Sequence, residues 1–206
     1  MFSDRFQGKL MTVFYSVGSK PLAIWKIESK EGDIRTVQDE HLKSNVLQIL
    51  SNNVTTCSIS TPPDSAASLG IRLPFIVLLM KNLNRYFTFE ITVLDNVNVR
   101  RRFRVSNYQS ATRVSMYMCT MPLCLNNDWN QIQFNLANFT ERTFNTTYVE
   151  TVRIQVHANC RVRRIYFCNQ LYPDEQLPFD YRMFSTKPLR EKPKSMLVKK
   201  VKKVKS

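Results

Sequence analysis

Glycine and histidine are scarce, with four and two residues among 206. Phosphate-cradling loops need glycine at fixed offsets, and no GxGxxG or GxxxxGK string occurs, so nucleotide chemistry of the usual kinds has no support. No HExxH string occurs either, and neither His41 nor His157 falls in a motif that would pair it with a serine or cysteine nucleophile. The five cysteines (Cys57, Cys119, Cys124, Cys160 and Cys168) are odd in number, contain no CxxC, and have no histidine at a zinc-ligand offset. Reduced thiols and no cofactor or metal are therefore expected. The longest apolar run, Phe75 to Met80, falls far short of the roughly 20 residues that span a bilayer. Asp4, Arg5 and Lys9, with the polar breaks Thr12, Tyr15 and Ser16, do not read as a signal peptide. The expectation is a soluble, intracellular, non-enzymatic protein in which the three Asn-x-Thr sequons carry no weight.

What remains is a chain that folds. Hydrophobic residues make up 43%, enough to bury a single core and to exclude disorder of the whole chain. From Tyr86 the residues alternate, with Phe87, Phe89, Ile91 and Val93 on one face and Thr88, Glu90 and Thr92 on the other, which predicts a half-buried strand. Asp95, Asn96 and Asn98 supply turn chemistry. A second alternation follows, with Val99, Phe103 and Val105 opposite Arg100, Arg102 and Arg104, so the two read as a hairpin. Ile132, Phe134 and Leu136 repeat the pattern, as do Val152, Ile154 and Val156. His157 lies on the outward parity of that last strand beside Arg153 and Gln155 and is read as a surface histidine. Phe75 to Met80 suits a strand covered on both sides.

Between Cys160 and Cys168 the apolar phase slips, which predicts a bulge near Arg163. Short helices are expected at Gln38 to Ser44, at Phe139 to Phe144 after the cap Asn138, and after Pro173. Seven or more short strands with few helices predict an all-β fold, an antiparallel β-sandwich of jelly-roll type. The predicted domain is 1–184, followed by a disordered basic tail, 185–206.

Lysine and arginine exceed aspartate and glutamate by fourteen. The last twenty residues, with nine basic side chains against the single acid Glu191, supply eight of these and leave six to the body. A basic body is drawn to polyanions: nucleic acid, anionic membrane or an acidic protein surface. Seven arginines and no lysines form two clusters within predicted strands, Arg100, Arg101, Arg102 and Arg104, then Arg161, Arg163 and Arg164. Arginine's planar fork suits carboxylates and phosphates, which makes these the candidate partner-binding residues. Internal pairing with aspartate or glutamate is the alternative. Tyr108 and Trp129 are candidate anchors nearby, although Trp25 and Trp129 read first as core.

Several long segments resemble one family. Tyr15-Ser-Val-Gly-Ser-Lys-Pro-Leu22, Leu69-Gly-Ile-Arg-Leu-Pro-Phe75, Asn98-Val-Arg-Arg-Arg-Phe-Arg104, Ser106-Asn-Tyr-Gln-Ser110, Trp129-Asn-Gln-Ile-Gln-Phe-Asn135 and Ile154-Gln-Val-His-Ala-Asn-Cys-Arg161 are similar to the cilia- and flagella-associated protein 20 family. The resemblance implies a β-sandwich, like carbohydrate-binding modules in outline, at the inner junction of axonemal doublet microtubules. It further implies α- and β-tubulin and the parkin co-regulated protein as partners, roles in ciliary shape and beating, and basal-body and nuclear pools. Asn126-Asn-Asp128 and Asn145 depart from the family pattern, and with the lysine-valine tail they suggest a divergent paralogue, as in sperm. Tail residues Lys199, Lys200, Lys202, Lys203 and Lys205 are candidate electrostatic contacts to acidic tubulin tails, a nuclear localisation signal, or a solubilising end. A nuclear nucleic-acid-associated factor is the alternative function, and a sugar-binding module a third.

Overall fold

The computed structural model describes residues 1–184; the tail lysines lie outside them. Thirteen strands follow one another: β1 Leu10–Tyr15, β2 Lys26–Ser29, β3 Gly32–Asp39, β4 Ser44–Ser51, β5 Cys57–Thr61, β6 Phe75–Asn82, β7 Thr88–Asp95, β8 Arg100–Ser106, β9 Arg113–Val114, β10 Met118–Pro122, β11 Asp128–Asn135, β12 Tyr148–His157 and β13 Cys160–Cys168. They form two sheets. One runs β11-β6-β13-β4-β3, with β1 also on β13; the other runs β2-β5-β12-β7-β8-β10-β9. This is the sandwich that the alternating segments predict, with one difference in direction. β10 lies parallel to β8, because residues 107–117 carry the chain back to the start of β8, where the Arg102 N–H donates to the Tyr117 carbonyl at 2.8 Å.

The inward faces meet in one core. Phe87, Phe89, Ile91 and Val93 are fully buried, as the alternation requires, and Phe89 of one sheet meets Phe134 of the other at 5.3 Å, edge to face. β6 is buried on both sides. Its Ile76, Leu78 and Met80 face the core, while Val77 and Leu79 lie under the segment that follows β13, packed with Tyr166, Tyr172 and Tyr181. That second cover explains an apolar run without alternation.

The predicted bulge falls at Arg163, where the pairing of β13 with β6 skips between Val162 and Arg164. The skip has a structural cause: Cys160 to Val162 pair with β4, whereas Arg164 to Cys168 pair with β1. One strand thus changes partner at the bulge.

The helix α1 spans Leu136–Phe144, starting three residues before the expected Phe139. Asn135, not Asn138, is its cap, and its side chain accepts from the Asn138 N–H at 3.0 Å. Asn145, at φ 54, ends it in the left-handed region that asparagine tolerates. The helix expected over Gln38 to Ser44 does not form. β3 runs on to Asp39, whose carboxylate accepts from the His41 and Leu42 N–H groups. That local turn outcompetes a helix. The turn after Pro173 is helical over Asp174–Gln176, as expected.

Candidate partner interface

The β7–β8 hairpin sorts the first arginine cluster. Asn98 sits at φ 60 in the turn, and the buried Asp95 carboxylate accepts from the Val99 N–H at 2.7 Å. This fixes the phase of β8, so that Arg101, Phe103 and Val105 point inward while Arg100, Arg102 and Arg104 point outward. Arg101 is therefore withdrawn from the candidate partner-binding set. Its Nε donates to Asp95 at 2.7 Å, its Nη1 donates to the Met116 carbonyl, and its guanidinium lies 4.9 Å from the centre of the Phe144 ring. Burial pushes the Asp95 carboxyl up, but Arg101 and the Val99 N–H more than offset this and hold it below its ordinary range.

The outward face is polar and shared by several strands. Arg102 and Arg104 approach Glu90 of β7 at 3.5 and 3.6 Å, and His157 Nε2 approaches it at 3.5 Å. Burial raises the Glu90 carboxyl, yet the facing imidazole and the two guanidiniums bring it below its usual value. His157 lies on the predicted parity but is buried rather than superficial, and both ring nitrogens are without a hydrogen-bond partner. Alternation assigns a side; it does not say how deeply neighbouring side chains cover that side. His41, by contrast, is exposed and touches Asp128.

Arg153 is the residue the sequence reading passed over. It pairs across β12 and β7 with Thr92, and Thr92 pairs across β7 and β8 with Arg102. Arg153, Thr92 and Arg102 thus form one rung over three strands. Arg153 donates to the Pro62 carbonyl at 2.7 Å and to Ser60 Oγ at 2.6 Å. With Arg100, Arg102, Thr92, Ser65 and Tyr117 it lines a cavity of about 470 Å³. Its signal was the outward parity it shares with Gln155.

The second arginine cluster is largely engaged inside the fold: Arg164 is buried, which withdraws it as a partner contact, while Arg161 keeps a side chain 26% exposed with its bonds committed internally. Arg161 donates to Asp39 at 2.9 Å and to Gln48 at 2.9 Å. Asp39 is a buried hub that also accepts from Trp129 Nε1 at 3.1 Å and Lys81 Nζ at 3.2 Å. Burial alone raises the Asp39 carboxyl; its donors reverse that and lower it to about 2. Trp129 is thereby a core residue and not an anchor. Arg164 is buried between the rings of Tyr15 and Tyr181, at 3.6 and 4.3 Å, and donates to Thr12 Oγ1 at 2.8 Å. Arg163 reaches Ser44 from the bulge. Of the candidate anchors, Tyr108 remains half exposed, tilted against Tyr86 at 5.0 Å.

Among the described residues no cluster of histidine, cysteine, aspartate or glutamate could hold a metal ion, and no helix is long and apolar enough to cross a membrane. All five thiols are free, and only Cys124 is exposed. Burial pushes the Cys57, Cys119, Cys160 and Cys168 thiols up, the last to about 11, which makes them poor nucleophiles.

Comparison with known proteins aligns the whole sandwich. A family model described as the CFA20 domain matches residues 1–185. Cilia- and flagella-associated protein 20 of Chlamydomonas reinhardtii is 54% identical over 184 residues, covering 89% of this chain and 97% of its own. The proteins of that name from Paramecium tetraurelia and Caenorhabditis elegans are 53% and 50% identical over the same length, with 96% and 91% of their own chains covered. Among solved structures, a family 11 carbohydrate-binding module from Clostridium thermocellum is similar at a TM-score of 0.44 and 12% identity, over 82% of this chain and all of that one.

Proposed function

Because the chain belongs to the CFA20 domain family, we propose that it is a structural protein of ciliary and flagellar axonemes, a microtubule inner protein at the inner junction that links the A- and B-tubules of doublets. The observation that carries this reading is an identity of 50–54% over nearly the full length of relatives that bear the ciliary name. Its partners in this reading are α- and β-tubulin and the parkin co-regulated protein, its contribution is to axoneme organisation, cilium shape and motility, and basal-body and nuclear pools belong to the same proposal. The outward row Arg100, Arg102 and Arg104 supports a contact with an acidic polymer. Complementary charge steers and registers such contacts more than it sets their affinity, and repetition along a polymer adds avidity.

The test is to tag the protein in a ciliated or sperm-forming cell and follow it through detergent extraction and a salt wash. Retention along the axoneme is expected; complete release, or a purely nuclear signal, overturns the reading. Reversing Arg100, Arg102 and Arg104 to glutamate is expected to weaken incorporation while the chain stays folded, since the side chains point outward. Normal incorporation of the folded triple variant excludes this face as the contact.

A further inference from the structure

We propose that the groove on the outer face of the seven-stranded sheet docks an extended, glutamate-rich polypeptide segment, whose carboxylates are taken by Arg100, Arg102 and Arg153. This narrows the contact face proposed above and rests on that reading only for the identity of the polymer in the cell.

Among the described residues three guanidiniums and no carboxylate line the groove. Among the described residues Arg100 and Arg153 have no ion pair, and Arg102 shares the single acid Glu90 with Arg104 and His157. Arg153 spends its bonds on neutral acceptors. Burial, with a smaller part from the like charge of Arg102, makes its protonated state costlier than usual, even though the carboxylates of Glu28 and Asp64 act in the opposite sense; a bound anion offsets that cost.

The spacing selects the occupant. Arg100 and Arg102 are alternate residues of one strand, so their side chains emerge about 6.6 Å apart, the distance between alternate side chains of any extended peptide. Arg102 and Arg153 flank Thr92 across two strand spacings, roughly 9.5 Å in all. That gap admits one carboxylate between two forks, above the small Thr92 floor. Tyr117, 59% exposed, and Met118 provide an apolar rim suited to a peptide. A nucleic-acid backbone carries charge at every unit and would be driven onward past Arg104 onto Glu90, whereas a peptide can present a neutral residue or an N–H there.

The experiment uses the full-length chain with all nine basic tail residues, Lys187, Arg190, Lys192, Lys194, Lys199, Lys200, Lys202, Lys203 and Lys205, replaced by serine, so that the tail does not capture the probe. Fluorescence anisotropy follows a labelled peptide of alternating glutamate and serine, with a glutamine-serine peptide and an oligothymidylate of matched length as comparisons. Binding of the glutamate peptide alone is expected, weakened about tenfold or more by Arg100→Gln with Arg102→Gln. Arg153→Lys, which keeps charge and loses the fork, is expected to weaken it too. Failure of the unaltered groove to bind, indifference to the double substitution, or tighter binding of the oligonucleotide overturns the proposal. A chain that binds the peptide yet leaves the axoneme overturns the ciliary reading and spares the groove; the converse overturns the groove alone.

Discussion

Replacing Asp39 by asparagine tests the hub that ties both ends of the six-stranded sheet together. Oδ1 accepts from Trp129 and from the His41 and Leu42 N–H groups, while Oδ2 accepts from the cations Arg161 and Lys81. An asparagine keeps three donors satisfied only if its oxygen stays at the Oδ1 position, which turns its NH₂ toward both cations. Two charge-assisted bonds are lost, each contributing about 1.5–3 kcal/mol. The loss is moderated because Arg161 retains Gln48, Lys81 retains Asp128, and their side chains are 26% and 17% exposed. A destabilisation of about 3 kcal/mol at neutral pH is expected, read by denaturant unfolding through the fluorescence of Trp25 and Trp129. The pH dependence sharpens the test. The folded-state pKa of Asp39 is depressed from 3.8 to about 2, so its contribution is complete above the unfolded value and is lost as pH falls through the folded one. At 1.36 kcal/mol per unit this is about 2 kcal/mol. Other depressed carboxyls slope both proteins equally, so the gap between them should close by about that amount from pH 5 to pH 2. A gap that stays constant with pH refutes the hub.

The remaining expectations are simpler. Arg164→Met preserves most of the volume between Tyr15 and Tyr181 but removes the charge, and should cost about 1–3 kcal/mol with faster hydrogen exchange confined to residues 169–184; stability equal to the unaltered chain would show the clamp to be packing alone. Asn135→Ala should lose about 1 kcal/mol through α1, measured by denaturation, and an unchanged midpoint would deny Asn135 its capping role. In the native protein, a maleimide should label Cys124 first, by mass spectrometry, and rapid labelling of Cys160 would contradict its burial. Deleting Lys194 to Ser206 should leave axoneme retention intact, and its loss would assign the tail a binding role.

Much of this fold was legible because its signals are local. The alternation at Phe87 to Val93, the phase slip between Val162 and Ile165, and the unbroken apolar run of β6 each reflect which side of a strand meets the core. Arg101 was legible too: by parity it belongs with Phe103 and Val105, and its burial with Asp95 follows. What escaped depends on residues distant in sequence. The clamp on Arg164 needs Tyr15 and Tyr181 brought from opposite ends of the domain. The rung of Arg153, Thr92 and Arg102 needs the order β12-β7-β8, which no single strand encodes. The depth of His157 depends on the bulk of its neighbours, and the direction of β10 on the path of a loop with no regular pattern.

The parallel pairing of β10 has a mechanical consequence. It makes β8 an interior strand, hydrogen-bonded on both edges, so a partner cannot add a strand there and must grip side chains instead. Force transmitted through Arg100 and Arg102 along the strand is then shared by two ladders at once, in shear, and no free edge exists from which to peel it. The arginine row is set where the sheet resists being pulled apart.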